Sequence, residues 1–105
     1  MTFTGDESEV FPLSTAAQWT KNYRTKYPNG MKAHFFGVNP VKTVLQQTGC
    51  VGFRIYYALD DAGVQQLILV GVDASGNDLY NGIILERAIP CPPYCDSGAS
   101  PLLNS

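Results

Sequence analysis

The sequence predicts an α+β fold in which two helices pack on one face of a small antiparallel β-meander, followed by a proline-rich C-terminal tail. Two segments space their apolar residues helically, and CVGFRIYYAL alternates its side chains with a period of two. A turn and a second apolar run follow that segment. With 105 residues, we expect one domain over 1–105, with some fraying over 1–9 and an irregular tail over 90–105.

The first helix is predicted over residues 15–27. Thr15 and Gln18 have the spacing of a capping box. An apolar stripe follows at steps of three and four residues, which places it on one helical face and indicates core packing. The stripe consists of Ala16, Trp19, Tyr23 and Tyr27.

A second helix is predicted over residues 40–48. Asn39-Pro40 is typical of an N-cap followed by proline at the first helical position, and Gly49 would end the helix as a C-cap. The short apolar segment 31–37 before it fits either a strand or a connector.

The centre of the chain is predicted to be β-structure. Strands near 50–59 and 65–73 are separated by the turn residues 60–63, so an antiparallel hairpin is the natural pairing. A third strand over 82–89 would complete the meander. Prolines then exclude regular structure from most of the tail.

Composition and charge argue against several classes of function. Charged residues make up 15% of the chain and the net charge is −2, so no basic stripe exists to bind nucleic acid. No apolar run approaches the ~18 residues of a membrane span, and the acidic N-terminus lacks the features of a signal peptide. We therefore expect a cytoplasmic protein with reduced thiols and with neither nucleic acid nor membrane as partner.

Three segments, GCVGFRIYYALDDAG, LVGVDASGNDLYNGIILE and PCPPYCDSGASPLL, resemble those of a group of short uncharacterised bacterial proteins. The resemblance runs from about Met31 to Leu103. It implies a small, intracellular bacterial protein. It carries no activity, cofactor, partner or functional residue onto this sequence.

The stretch PCPPYC contributes two cysteines to a candidate metal site. The site consists of His34, Cys50, Cys91 and Cys95. Three cysteines and one histidine are a known structural zinc set, and Cys91 and Cys95 have a permissive spacing for a chelating pair. A dithiol redox pair is disfavoured by that spacing and by the prolines. A disulfide would close a very small loop. We favour the fourth interpretation, that Cys91 and Cys95 are small packing residues, and we expect no cofactor, with zinc as the alternative.

The loop DASGND resembles the start of a calcium loop, but the distal glutamate is out of register and ordinary turn chemistry explains it better. A Cys50–His34 catalytic dyad would need the two side chains within hydrogen-bond reach. No catalytic set is convincing, so an enzymatic role is not favoured.

Arg54 lies in the middle of an apolar strand, beside Tyr56. It is expected to pair with a carboxylate on a neighbouring strand, such as Glu86. Arg54 and Tyr56 are also the residues that a protein-interaction surface would use.

The expected function is a small, non-enzymatic protein-interaction domain that binds a protein partner or forms a homodimer. The alternative is a metal-binding or thiol-redox protein that uses the candidate metal site.

Overall fold

The computed structural model, which describes residues 1–104, contains two helices and five strands within that range. Antiparallel pairing joins β2, β3 and β4 into a three-stranded meander, and β1 pairs with β5 in a separate two-stranded sheet. These features confirm the α+β fold class. The elements in chain order are α1 (Leu13–Lys26), β1 (Ala33–Phe35), α2 (Val38–Leu45), β2 (Cys50–Leu59), β3 (Gln65–Asp73), β4 (Ile84–Leu85) and β5 (Ile89–Cys91).

The β2–β3 hairpin forms with the predicted bounds and the predicted antiparallel direction. Its turn is fixed by Asp60, whose backbone N–H donates to the carbonyl oxygen of Val64 at 2.9 Å. The Asp60 carboxylate accepts hydrogen bonds from the backbone N–H groups of Ala62 and Val64. Gly63 has a φ of +82°, a conformation that favours glycine. Local turn chemistry therefore sets the register of the hairpin.

The third strand is much shorter than the predicted 82–89. Only Ile84–Leu85 pairs with β3, opposite Leu69 and Val70. Arg87 has a φ of +59°, in the left-handed region. An extended strand cannot contain that conformation, so the chain leaves the meander before it reaches β5.

The second helix begins at Val38, earlier than predicted. Gly37 is its N-cap and makes no side-chain capping bond, so the predicted cap at Asn39 is wrong. Pro40 still lies in the first turn, where backbone N–H groups have no intrahelical partner. The helix ends at Leu45, with Gln46 in place of Gly49 as the C-cap. It packs against β2, β3 and β4.

The chain divides into two compact units. The first, which we call the meander unit, comprises Met1–Glu7 and His34–Ile89; the second comprises Ser8–Ala33 and the described residues from Pro90 onward. The buried core of the meander unit consists of Val44, Leu69, Val70 and Val72. Within residues 1–104, no helix is long and apolar enough to cross a membrane.

The first helix also begins earlier than predicted and lacks the predicted capping box. It starts at Leu13, with Pro12 as an N-cap that makes no side-chain bond, so the roles predicted for Thr15 and Gln18 are wrong. The aromatic stripe does not form a core either, because Trp19 is 60% exposed and Tyr27 is 48% exposed.

Instead, the aromatic rings in and beside the first helix pack in pairs. Phe11 contacts Trp19 with ring centroids 5.2 Å apart, and Tyr23 contacts Tyr27 at 5.1 Å. Ala17 is the buried residue of α1. The second unit contains one helix and mostly irregular chain, which is too little regular structure to cover a stripe of large rings.

Gln47 ties the end of α2 to the loop that precedes β4. Its Nε2 donates to the Val44 carbonyl, and its Oε1 accepts from the backbone N–H of Ile83, both at 2.9 Å. The amide lies directly against two glycines. A Cβ atom on Gly71 would come within 2.9 Å of Gln47 Nε2, and one on Gly82 within 2.2 Å of Gln47 Oε1.

We therefore expect Gly82→Ala to destabilise the protein by about 1–3 kcal/mol, because the added methyl displaces the Gln47 amide and leaves the Ile83 N–H without its acceptor. Urea unfolding monitored by circular dichroism measures this. Gly52→Ala is the matched control, since a Cβ there meets nothing within 4 Å, and it should stay within about 0.5 kcal/mol of wild type. In a Gln47→Ala background the cost of Gly82→Ala should shrink; an unchanged cost would contradict this account.

Candidate functional site

The most distinctive surface of the meander unit is the free edge of β2. The strand order is β2-β3-β4, so β2 has a paired neighbour on one side only. At ten residues it is long for an edge strand. A strand in this position presents a row of unpaired backbone N–H and C=O groups.

The hairpin turn shows which backbone groups face that edge. The Asp60 N–H points toward β3, where it donates to Val64. Because backbone groups alternate in direction along an antiparallel strand, those of Phe53, Ile55, Tyr57 and Leu59 point away from β3. Among the described residues, no backbone group pairs with these four from the open side.

The side chains of the same four residues are exposed. Tyr57 is 84% exposed and Leu59 is 72% exposed, and Phe53 and Ile55 are also classed with the exposed large apolar residues. They share one face of the strand, because successive side chains of a strand alternate between its two faces. We call residues 53–59, with their outward backbone groups, the open edge.

The opposite face of β2 carries a charged cluster formed by Arg54, Tyr56 and Asp78. Arg54 Nη1 lies 2.5 Å from Asp78 Oδ1, and the Tyr56 hydroxyl donates to the other carboxylate oxygen. Arg54 Nη2 also donates to the Gly76 carbonyl at 3.3 Å. The centroid of the Phe3 ring lies 5.8 Å from the guanidinium carbon. The expected carboxylate partner is therefore present, but it is Asp78 and not Glu86, which lies 4.0 Å from Arg87.

The cluster shifts the protonation of its members in opposite directions. The hydrogen bond from the Tyr56 hydroxyl, and then the Arg54 guanidinium, hold the pKa of Asp78 below its ordinary value. The hydrogen bond with Asp78 raises the pKa of Arg54. At neutral pH, the one charge within β2 is therefore neutralised by its own unit.

The loop 73–78 follows ordinary turn chemistry, as predicted. The Asp73 carboxylate accepts hydrogen bonds from the backbone N–H groups of Ser75 and Asn77, at 3.0 and 2.9 Å. Gly76 has a φ of +83°. Phe3 anchors the N-terminal segment here, since its N–H donates to the Ala74 carbonyl at 2.8 Å.

The structure places the candidate metal residues in separate local contacts. His34 Nε2 lies 3.2 Å from the Gln65 carbonyl, and the Cys50 thiol donates to the Gly52 carbonyl at 3.0 Å, so neither is directed at the other. Cys91 and Cys95 are joined by a disulfide, which replaces the packed thiols that we favoured. Within residues 1–104, no three or more His, Cys, Asp and Glu side chains are grouped so that they could hold a metal ion.

A cleft of about 310 Å³ in the meander unit is wide open to solvent. Its lining includes Gln47, Asp78, Tyr80 and Asn81. Gln47 is committed to Val44 and Ile83, and Asp78 to Arg54 and Tyr56. Two of the polar side chains that line the cleft are therefore already engaged within the protein.

No family model, curated protein or solved structure matches this sequence. The resemblance to a group of short bacterial proteins therefore stays a prediction.

Sequence reasoning identified Arg54 and Tyr56 but missed Asp78 and the open edge. Asp78 lies beyond the turn that follows β3, and only the folded turn brings it beside Arg54. The edge had a signal in the sequence, because the strands of a meander follow one another and its first strand lies at an edge of the sheet.

The charged cluster predicts a specific loss of stability in acid. Because the folded pKa of Asp78 is depressed, its contribution is present above the ordinary value of 3.8 and is lost as the pH falls through the folded value. Asp78→Asn keeps the shape but not the charge. We expect the variant to be less stable than wild type near pH 7 and the difference to narrow toward about pH 3 in urea unfolding. A difference that is constant with pH would contradict this role.

The cysteines predict a simple labelling pattern. Alkylation of the denatured protein without reductant should label Cys50 alone, because Cys91 and Cys95 are bonded to each other. Reduction should then expose all three cysteines, and intact mass spectrometry counts the labels. Cys50→Ala is the control and should take up no label before reduction. Three labels on the unreduced protein would contradict the disulfide.

Proposed function

We propose that this protein is a small interaction domain that binds an extended polypeptide segment along the open edge of β2. The observation that supports this proposal is a ten-residue strand with one unpaired edge, whose exposed side chains include Tyr57 and Leu59, 84% and 72% exposed. An extended segment added to such an edge gains main-chain hydrogen bonds, and the alternate side chains give specificity.

The edge lacks the features by which proteins usually block strand addition. Residues 53–59 contain no proline and no lysine. The irregularity in β2 lies between Cys50 and Gly52, outside the open edge. The one charged side chain, Arg54, is drawn to Asp78 within its own unit. A partner strand would therefore meet no proline, bulge or unpaired charge along these residues.

Arg54 and Tyr56 keep the interaction role that the sequence suggested, but we propose an indirect one. Both side chains bind Asp78, and this holds the opposite face of β2 on the turn after β3. The cluster would then hold β2 in the shape that a partner binds, while Phe53, Ile55, Tyr57 and Leu59 make the contacts.

The Cys91–Cys95 disulfide raises the question of the compartment in which the protein lies. The sequence predicts the cytoplasm, where thiols stay reduced, whereas disulfides persist in oxidising compartments. Free thiols can be trapped in intact cells that produce the protein. One labelled cysteine would indicate an oxidising compartment, and three would indicate the cytoplasm.

The proposal predicts that Tyr57→Pro weakens strand binding strongly and leaves the fold intact. Tyr57 directs its N–H away from β3, so Tyr57→Pro removes an outward donor without removing a β2–β3 hydrogen bond. Selection from a library of displayed linear peptides of ten residues, the length of β2, should yield extended apolar sequences on wild type and far fewer on Tyr57→Pro.

Tyr57→Ala is the matched control, because it removes the ring and retains the N–H. It should weaken peptide binding less than proline does, and circular dichroism should show that both variants are folded. Peptides that bind wild type and Tyr57→Pro equally would contradict a main-chain edge site.

A further inference from the structure

We propose that the open edge binds a second copy of this chain, with the two β2 strands antiparallel and a two-fold axis at Tyr56. This inference rests on the proposed function and names its partner. The result would be a continuous six-stranded sheet in the order β4-β3-β2-β2-β3-β4, since each copy contributes its three-stranded meander.

Symmetry restricts how two β2 strands can pair. A two-fold axis normal to the sheet keeps each side chain on its own face. Because residues opposite one another share a face, one residue must lie opposite its own copy, and the axis passes midway between these two copies. Residues on the same face then lie opposite one another, and the four outward residues of one copy face outward residues of the other. Main-chain hydrogen bonding is therefore satisfied in every register of this kind.

Two neighbouring registers are unfavourable. An axis at Arg54 would set Arg54 directly opposite Arg54 of the second copy, and like charges in that position are destabilising. An axis at Ile55 would set Leu59 opposite Val51. Val51 lies at the irregularity in the strand, and Gly5 lies so close that a Cβ on it would be 3.0 Å from the Val51 carbonyl. The N-terminal segment therefore blocks that end of the edge.

An axis at Tyr56 avoids both conflicts and uses the whole open edge. Phe53 then lies opposite Leu59 of the second copy, and Ile55 lies opposite Tyr57 of the second copy. These two combinations occur twice by symmetry, so all four exposed apolar residues of each copy gain an apolar neighbour. Arg54 lies opposite Ala58 of the second copy, so no like charges meet.

Chemistry also favours a second copy over an unrelated segment. The segment that fits this edge must be extended, apolar on alternate residues and without a net charge that needs a partner. Residues 53–59 meet these requirements themselves, because their one charge is already paired with Asp78. The same pairing covers both open edges at once, which removes the exposed strand from each copy.

Sedimentation equilibrium of the full wild-type chain tests the proposal directly. We expect a reversible dimer, and we expect Tyr57→Pro to raise its dissociation constant by about tenfold or more, because each dimer loses two symmetry-related hydrogen bonds. A wild-type protein that is monomeric up to about 1 mM would overturn self-pairing. A Tyr57→Pro dimer as stable as wild type would also overturn it.

Cysteine cross-linking tests the register. At an axis on Tyr56, the two copies of residue 56 form a non-hydrogen-bonded pair with Cα atoms about 4.5 Å apart, within reach of a disulfide. In a Cys50→Ala background, mild oxidation of Tyr56→Cys should therefore give a covalent dimer on a non-reducing gel. Ile55→Cys is the matched control and should cross-link far less, because its two copies are offset along the strands. The reverse pattern would overturn this register.

The two proposals fail in different ways. If wild type is monomeric but selects peptides in a manner that depends on the Tyr57 N–H, self-pairing fails and the strand-binding function stands. If wild type is monomeric and selects no peptide, both fail. A dimer that Tyr56→Cys cross-links supports both.

Discussion

The antiparallel pairing of β2 with β3 is the constraint on which the rest of the meander unit depends. Asp60 fixes one end of this pairing through hydrogen bonds within the turn. Once the register is set, Leu69 and Val70 are enclosed between β2 and β4, and α2 can cover the sheet. The same register decides which backbone groups of β2 are left over. The open edge is therefore a direct consequence of the interaction that builds the core.

The charged cluster links the stability of this unit to its surface. An arginine on an edge strand ordinarily repels or deters an incoming strand. Here Asp78 and Tyr56 hold the guanidinium on one face, and the Phe3 ring lies beside it. The charge thus supports the fold locally and is withdrawn from the edge. An apolar strand with a neutralised charge is suited to strand addition, which is the chemistry behind the proposed function.

Short-range bonds and one long-range contact organise the C-terminal segment. The Cys91–Cys95 disulfide closes one small loop, and the Asp96 carboxylate accepts from the backbone N–H of Gly98 at 2.9 Å. Within the same unit, Arg24 donates to the Leu102 carbonyl at 2.6 Å. These contacts replace a regular element in a region whose prolines remove backbone donors. They also separate Cys91 and Cys95 from any role as thiolate ligands in this form.

The sequence by itself determined the features that depend on neighbouring residues. The period of two in CVGFRIYYAL and the turn residues after it predicted strands near 50–59 and 65–73, where β2 and β3 lie. The start of each helix was wrong, because Pro12 and Gly37 begin the helices without side-chain caps. Long-range outcomes were decided by the tertiary structure: the choice of Asp78 as carboxylate, the exposure of Trp19 and the exposure of the side chains along the open edge. The physical reason is that period and turn chemistry act over a few residues, whereas burial and pairing depend on which distant segments come together.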